Sequence, residues 1–282
     1  MKPETVCTVV FSPTGTSKKI AETVARSIAS DAGTEAAALK TIDLTHAAAH
    51  SAALSAGAVA VIAAPVYGGH VAPTAAKRLE TLRGSGTTPA VVIAVYGNRA
   101  FEKAAAELAA LAARQGFVPV AAAAFVGEHS YSTPETPVAA GRPDAQDLAR
   151  AAEFGAAVRK KLAAGTPAPV DAAKLKDVHT PLVPMLRFIR FVVGYRRRQK
   201  KNPVVYLPAC DADRCTHCGR CAAICPTQAI ARGDEAHTDP ARCIRCCACV
   251  KGCPVGARSF HTPFAAALAR SFTRRKQPVT IL

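Results

Sequence analysis

The chain has no tryptophan, and only five tyrosines and two methionines occur among its 282 residues. It also lacks a long uncharged apolar segment after its first half, because the longest one, residues 182–195, contains two arginines. A membrane-spanning helix needs about 18 or more residues with few or no charges. We therefore do not expect this segment to cross a bilayer.

Three further patterns are missing. The amino-terminal residues have no basic region followed by an apolar run and a small-residue cleavage site, so they do not resemble a signal peptide. We accordingly expect a cytoplasmic protein whose thiols are reduced or metal-bound. The motifs GxxxxGK[ST] and GxGxxG are also absent, which excludes a nucleoside-triphosphate loop and a dinucleotide fingerprint.

Charge and cysteine are distributed unevenly along the chain. Residues 1–150 carry 13 basic and 12 acidic side chains, whereas residues 151–282 carry 23 and 8. Ten of the 11 cysteines lie between positions 210 and 253, and Cys7 is the exception. Because the length suggests about two domains, this asymmetry indicates two modules with different chemistry.

The first 165 residues alternate short apolar runs with alanine-rich amphipathic segments, a pattern typical of a parallel sheet covered by helices. We predict an α/β fold, a doubly wound five-stranded parallel sheet in the order 2-1-3-4-5, with ligands beyond the carboxyl ends of the strands. The predicted strands are 6–11, 36–42, 58–63, 90–95 and 118–126. The predicted helices are 18–30, 74–82, 101–114 and 144–162.

Composition divides the rest of the chain. A stretch rich in glycine, proline and alanine begins at residue 165 and indicates a linker. We predict an α/β domain at 1–165, a linker with a basic apolar segment at 166–202, a cysteine-rich domain at 203–260, and a basic tail without acidic residues at 261–282.

The cysteine-rich domain contains an internal repeat of the form C-x2-C-x2-C-x3-C-P. Three cysteines at this spacing allow one loop to wrap an iron-sulfur cubane, while the fourth is directed to another cluster. Zinc bound by C-x2-C pairs is the alternative, although a zinc site has no use for a third cysteine in the same loop.

The repeat closely resembles the two-cluster bacterial ferredoxins, and all eight ligand positions are filled. The resemblance implies a small α+β ferredoxin-like domain with two [4Fe-4S] clusters. It assigns one cluster to Cys215, Cys218, Cys221 and Cys253, and the other to Cys243, Cys246, Cys249 and Cys225. For the remaining Cys7, Cys210 and Cys247 we expect structural roles, since free cysteine is often simply buried.

A hydroxyl-rich turn follows the first predicted strand and opens the first helix. A helix amino terminus presents backbone N–H groups to an anion, and hydroxyls add donors without charge. The turn therefore suits a phosphate monoester, with ordinary helix capping as the alternative. Its candidate binding residues are Ser12, Thr14, Gly15, Thr16 and Ser17.

Two later turns combine an aromatic side chain with glycine at the same edge of the predicted sheet. Burial of the tyrosines against the sheet is the alternative. Together with the hydroxyl turn, they resemble flavodoxins, and the resemblance implies that FMN is bound between them, with Tyr67 or Tyr96 stacked on the flavin. The candidate residues are Pro65, Val66, Tyr67, Gly68 and Gly69 in one turn and Tyr96, Gly97, Asn98 and Arg99 in the other.

The two modules together resemble a family of flavodoxin and ferredoxin fusions from anaerobic bacteria. The resemblance implies an electron-transfer protein that relays electrons between FMN and two [4Fe-4S] clusters for a partner oxidoreductase. The alternative is an enzyme whose flavin reduces a small acceptor such as a quinone or a nitro compound. The two interpretations differ in whether the ring is shielded or faces a substrate-sized cavity.

The basic surplus of the second half admits several interpretations. One is a solvated surface whose positive charge offsets the negative charge of the bound cofactors, but this accounts for only about a third of the positive surplus. We expect docking to an acidic redox protein first and weak association with an anionic membrane surface second. We expect no nucleic-acid partner, because no recognition motif accompanies the charge.

Overall fold

The structure is a computed structural model that describes residues 2–30, 36–46, 51–165 and 167–282. The described residues form two compact units, each assembled from separate stretches of the chain. Unit 1 comprises Met1–Glu128, Gly141–Val178 and Lys276–Leu282, and unit 2 comprises His129–Ala140 and His179–Arg275. Thr166, the first residue of the predicted linker, and several residues of the predicted first domain (1, 31–35 and 47–50) lie outside the described residues.

The strands are, in chain order, β1 (Thr5–Val10), β2 (Ala38–Asp43), β3 (Ala52–Ala53), β4 (Ala58–Tyr67), β5 (His70–Val71), β6 (Leu82–Arg83), β7 (Thr88–Tyr96), β8 (Phe117–Val126), β9 (Ala209–Cys210), β10 (Arg258–Ser259) and β11 (Val279–Ile281). The helices are α1 (Thr16–Ala29), α2 (Pro73–Leu79), α3 (Ala104–Arg114), α4 (Ala145–Ala163), α5 (Leu182–Lys201), α6 (Arg220–Ala223), α7 (Ala248–Lys251) and α8 (Pro263–Ser271), with a 3-10 turn at Ala172–Lys174. None of the helices within the described residues is long and apolar enough to cross a membrane.

Unit 1 is built on five parallel strands that lie in the order β2-β1-β4-β7-β8. This is the predicted order 2-1-3-4-5 and confirms the flavodoxin-like doubly wound fold. β4 and β7 are almost continuously apolar because helices cover both faces of a parallel sheet.

Helix α1 packs on this sheet through an apolar stripe of Ile20, Val24 and Ile28, which recur every four residues on one face. Its neighbour α4 begins with a capping box between Asp144 and Asp147, which supplies the N–H groups of its first turn with acceptors. The two helices approach closely at Gly155, where an added Cβ would lie 2.6 Å from the Val24 carbonyl oxygen.

The sheet extends beyond the five predicted strands. β5 folds back on β4 as an antiparallel hairpin, and β11 pairs antiparallel with β8, with Val279 opposite Ala124. β11 covers the row of backbone groups that β8 would otherwise expose as an edge strand. The segment 261–282, predicted as a basic tail, thus contains both α8 and this strand.

Unit 2 contains a two-stranded antiparallel sheet of β9 and β10 and the one-turn helices α6 and α7. Helix α5, which lies in the segment predicted as a linker, packs against α8 through aromatic rings. The Phe264 centroid lies 5.0 Å from that of Phe191 and 4.8 Å from that of Tyr195.

Candidate functional site

The hydroxyl-rich turn lies where it was predicted, between β1 and the amino terminus of α1. The Ser12 N–H donates to Thr45 Oγ1 at 2.9 Å, and Ser12 Oγ accepts from the Lys18 N–H at 3.0 Å. Gly15 caps the helix with φ 83°, a left-handed conformation that glycine adopts without strain. These contacts hold the turn open over the positive end of the α1 dipole.

The side-chain hydroxyl of Ser17 indicates which kind of ligand this turn could bind. Its side chain is buried in the first turn of α1, and its Oγ has no hydrogen-bond partner among the residues that the structure describes. The first turn contains no acidic residue. Thr14 and Thr16 are half-buried beside it. A phosphate group would supply the acceptor that Ser17 lacks, so these residues fit a phosphate monoester.

The second predicted turn differs from the expectation, because Pro65, Val66 and Tyr67 lie in β4 rather than in a loop. The strand continues because Val66 pairs with Val71 in the hairpin. Gly68 and Gly69 form the reversal with φ of 63° and 92°, the left-handed pair that two-residue hairpins require. Tyr67 is half-buried.

Tyr96 ends β7, and its ring is buried edge-on against Phe101, with centroids 5.5 Å apart. Burial raises the pKa of Tyr96 above its ordinary range, with the carboxylate of Asp177 as a smaller cause. Gly97, Asn98 and Arg99 follow as a tight turn in which Asn98 has φ 63°. Of the two tyrosines, Tyr67 is therefore the one whose ring is more accessible to a planar ligand.

The second and third turns are bonded to each other. The Lys103 N–H donates to the Gly69 carbonyl at 3.0 Å. Asp177 accepts from the N–H groups of Phe101 at 2.7 Å and Glu102 at 3.0 Å. These bonds connect the two turns at the carboxyl edge of the sheet. We call residues 65–69 and 96–103 together the rim.

Lys276 completes this rim from the far end of the chain. Its side chain is buried, and its Nζ donates to the Arg99 carbonyl at 2.5 Å. Burial lowers the pKa of Lys276, while Asp177 acts in the opposite direction. Neither Lys276 nor Asp177 was identified from the sequence, because no local pattern marks a residue that acts across such a chain distance.

In unit 2, one small cavity is lined by the first predicted ligand set. Its wall includes Cys215, Cys218, Cys221 and Cys253. Its polar lining also includes Thr216, Arg220, Glu235 and Arg258. Within the part of the chain that the structure describes, no three His, Cys, Asp or Glu side chains are arranged to hold a single metal ion. Four thiols around a shared space suit a cubane, in which each iron binds one cysteine.

The second predicted set is also brought together. The charges of Cys225 and Cys243 both act on the pKa of Cys246, as does that of Cys249. Burial is the largest cause and raises the pKa of Cys246 to about 12. Since a thiolate is the form that binds iron, these buried thiols need a cationic centre to compensate their ionisation.

The two cysteine repeats also share a hydrogen bond from a backbone N–H to a cysteine sulfur. The fourth cysteine of each repeat accepts from the N–H four residues later, Cys225 from Ala229 and Cys253 from Ala257, both at 3.2 Å. Burial acts to raise the pKa of Cys253, but the backbone N–H groups around its sulfur prevail and lower that pKa below its ordinary value. Such N–H···S bonds stabilise the thiolate and tune a bound cluster.

Arg258 is a functional candidate that the repeat did not predict. It is buried and donates to the Glu235 carbonyl at 2.6 Å, and its Nη2 lies 3.9 Å from Cys249 Sγ. Its cation also lowers the pKa of Cys221, where burial acts in the opposite direction and prevails. One guanidinium thus influences both predicted ligand sets.

The three remaining cysteines occupy different environments. Cys7 is buried in β1, where burial raises its pKa to about 11. Cys247 is buried with φ 57°, and burial raises its pKa well above the ordinary value. Cys210 lies in β9, opposite Arg258 of β10.

Comparison with known proteins covers both units. Residues 207–261 match the family model of the 4Fe-4S dicluster domain. No curated protein matches the chain. A flavodoxin from the domain Archaea is similar at 14% identity over 56% of this chain and 99% of that chain, with a TM-score of 0.35.

Two further solved structures are similar to the same extent. An oxidoreductase from Corynebacterium diphtheriae shares 17% identity over 58% of this chain and 97% of that chain, with a TM-score of 0.35. The flavodiiron core of Flv1 from Synechocystis shares 16% identity over 58% of this chain but only 37% of that chain, with a TM-score of 0.38. The chain therefore combines an iron-sulfur region similar to the 4Fe-4S dicluster domain with a unit whose strand order defines a flavodoxin-like fold.

Proposed function

We propose that this protein is an electron carrier in which FMN bound to unit 1 and two [4Fe-4S] clusters bound to unit 2 relay electrons for a partner oxidoreductase. The observation that carries the proposal is the match of residues 207–261 to the 4Fe-4S dicluster domain, in one chain with a flavodoxin-like unit. The cavity lined by Cys215, Cys218, Cys221 and Cys253 supports it. Clusters exchange single electrons, whereas a flavin accepts one or two, so the combination would connect one-electron and two-electron partners.

Unit 1 would hold FMN through the three turns at its carboxyl edge. Ser12, Thr14, Gly15, Thr16 and Ser17 would bind the phosphate, with Ser17 Oγ donating to it. Tyr67 would cover the ring, and the backbone of Gly68, Gly69, Gly97, Asn98 and Arg99 would approach its edge. The rim bonds from Lys103 and Asp177 would orient these turns before the cofactor arrives.

Unit 2 would hold the clusters through the ligand sets named above. Cys215, Cys218, Cys221 and Cys253 would bind one cluster, and Cys225, Cys243, Cys246 and Cys249 the other. The N–H groups of Ala229 and Ala257 and the guanidinium of Arg258 would stabilise negative charge on sulfur.

We further propose that the partner is a redox protein, and that the formal charge of +16 favours an acidic one, since complementary charge speeds encounter. We place the relay in the cytoplasm, where the thiols would stay reduced until clusters are inserted.

The experiment is anaerobic purification followed by iron, sulfide and flavin analysis and an EPR redox titration. We expect about eight iron and one FMN per chain. Stoichiometric zinc would overturn the cluster assignment, and absence of flavin would overturn the role of unit 1. If the protein reduced quinones or nitro compounds faster than free FMN does, the electron-carrier proposal would be wrong and the protein would be a reductase.

A further inference from the structure

Helix α5 exposes an apolar stripe that no described residue covers. Leu182, Leu186, Ile189 and Val193 follow one another at intervals of four, three and four residues, so they lie along one face of the helix. These four side chains are between 43 and 68% exposed. Val183, at the start of the helix, is exposed next to the stripe.

The stripe is not the face by which α5 is held in its unit. Phe188, Phe191 and Tyr195 lie on the opposite side and pack against α8. Phe188 also contacts Phe272 edge-on, with ring centroids 5.0 Å apart. The helix is therefore fixed by one aromatic face while its aliphatic face points to solvent.

The apolar exposure is concentrated in this part of the chain. Of the ten exposed large hydrophobic side chains among the described residues, seven lie between positions 182 and 205. Val204 and Val205, just after α5, are 52 and 61% exposed. A cluster of this kind on a folded protein marks an interaction surface.

Charge on the same helix has one sign only. α5 carries seven Lys and Arg side chains and no acidic one, and residues 178–210 contain no Asp or Glu at all. All seven cations are exposed, and among the residues that the structure describes none of them forms an ion pair. Arg187, Arg190, Arg197 and Arg198 line a shallow groove with Val193 and Gly194 beside the stripe.

We propose that α5 is an interfacial helix that docks unit 2 on the surface of a membrane containing anionic lipid. Leu182, Leu186, Ile189 and Val193 would enter the boundary of the acyl chains, while the flanking arginines extend to lipid phosphates. A polybasic segment adds electrostatic attraction to the anionic surface. The proposal goes beyond the electron relay and does not depend on it.

The pattern favours lipid over a protein partner. A protein surface would need an apolar groove of matching shape bordered by acids, whereas a bilayer requires only apolar depth and positive charge. The apolar stripe lies within the first twelve residues of α5, and five of the seven cations lie in its last six residues: Arg196, Arg197, Arg198, Lys200 and Lys201. This succession lets the helix lie in the interface without crossing the bilayer.

The test is co-sedimentation of the anaerobically purified full chain with phosphatidylcholine vesicles that contain or lack phosphatidylglycerol. We expect binding to the anionic vesicles, weakened by high salt. Arg196→Gln, Arg197→Gln and Arg198→Gln combined should weaken binding by about 100-fold. Leu182→Ser, Leu186→Ser and Ile189→Ser combined should weaken it more than about tenfold.

Matched controls remove the same groups elsewhere. Arg26→Gln, Arg114→Gln and Arg150→Gln combined remove three exposed cations of unit 1, and Leu39→Ser removes an exposed leucine of β2. Controls that lose as much binding as the α5 variants would overturn the proposal. Binding to an acidic protein but not to anionic vesicles would overturn it as well and would assign α5 to a redox partner.

A second readout does not depend on the strength of binding. Because the chain contains no tryptophan, Ile189→Trp introduces a single reporter at the centre of the stripe. Its emission should move to shorter wavelength on addition of anionic vesicles, whereas that of Leu39→Trp should not move. Unchanged emission from Ile189→Trp in vesicle-bound protein would show that another surface makes the contact.

Discussion

The guanidinium of Arg258 lies 3.9 Å from the sulfur of Cys249 and is buried with it. A buried cation beside a cluster ligand favours the reduced, more negative state of that cluster. Arg258→Met, which keeps the apolar bulk and removes the charge, should therefore lower the reduction potential of the cluster that Cys249 is proposed to bind. A shift of about 60 mV corresponds to a tenfold change for one electron.

The potential is measured by EPR-monitored redox titration of the anaerobically purified protein. Arg258→Lys is the matched variant, because it keeps the positive charge and should retain most of the potential. Equal potentials in Arg258→Met and the unmodified protein would assign Arg258 a structural role, through its bond to the Glu235 carbonyl.

Ser17→Ala should separate flavin binding from stability. Its Oγ is buried, and within the described part of the chain it has no hydrogen-bond partner. Removal of the hydroxyl should therefore leave the flavin-free protein as stable as before or slightly more stable. Affinity for FMN should fall about tenfold, because a donor to the phosphate is lost. Fluorescence titration with FMN measures the affinity, and Ser30→Ala, at the other end of α1, is the control.

The two tyrosines of the candidate flavin site should respond differently to substitution. Tyr67→Leu should increase the fluorescence of bound FMN and weaken its binding, since an accessible ring stacked on the flavin is removed. Tyr96→Phe should leave the affinity for FMN unchanged, because the Tyr96 ring is buried and no described residue forms a hydrogen bond with its hydroxyl. If Tyr96→Phe weakened FMN binding and Tyr67→Leu did not, Tyr96 would be the residue that contacts the flavin.

Lys276→Met should loosen the rim of unit 1. The substitution leaves the Arg99 carbonyl without its charged donor and should reduce the free energy of unfolding by about 1 to 3 kcal/mol. Urea-induced flavin release measures the effect. Arg274→Met, at an exposed position nearby, should change stability by less than about 0.5 kcal/mol.

Cys7 should remain a thiol to high pH. Burial raises its pKa to about 11 in the folded protein, whereas the unfolded chain ionises near 8.5. Because the folded pKa is the higher one, the contribution of Cys7 to stability is complete below about pH 8.5 and is lost as the pH rises through about 11. Iodoacetamide labelling followed by mass spectrometry at a pH above about 8.5 should modify Cys7 in urea but leave it unmodified in native protein, where the thiol is buried and its pKa is raised.

The regular part of the fold was predictable because its signals are local. Alternation of apolar runs and amphipathic segments placed all five parallel strands and their helices, and the confirmed strand order followed from handedness rules. The sequence did not predict β5, whose two residues are strand only because Gly68 and Gly69 reverse the chain. Nor did it predict β11, since a three-residue segment far from β8 has no local pattern to mark it.

The candidate site divides in the same way. The cysteine repeat and the hydroxyl turn are contiguous motifs that the sequence alone reveals. In the structure, Cys215, Cys218, Cys221 and Cys253 line one cavity, and their role as ligands stays a prediction. Three other residues of the site were not predictable, because they contact groups that are distant in the sequence and no local motif marks them. They are Arg258, Asp177 and Lys276. Lys276 lies in the segment predicted as a basic tail but is buried, whereas its neighbours Arg274 and Arg275 are exposed.

The pairing of Val279–Ile281 with β8 has a consequence for biosynthesis. The unit that starts the chain acquires its outer strand, and the Lys276 contact to its rim, only after every cysteine has left the ribosome. Unit 2 is thus wholly synthesised while unit 1 still has an open sheet edge.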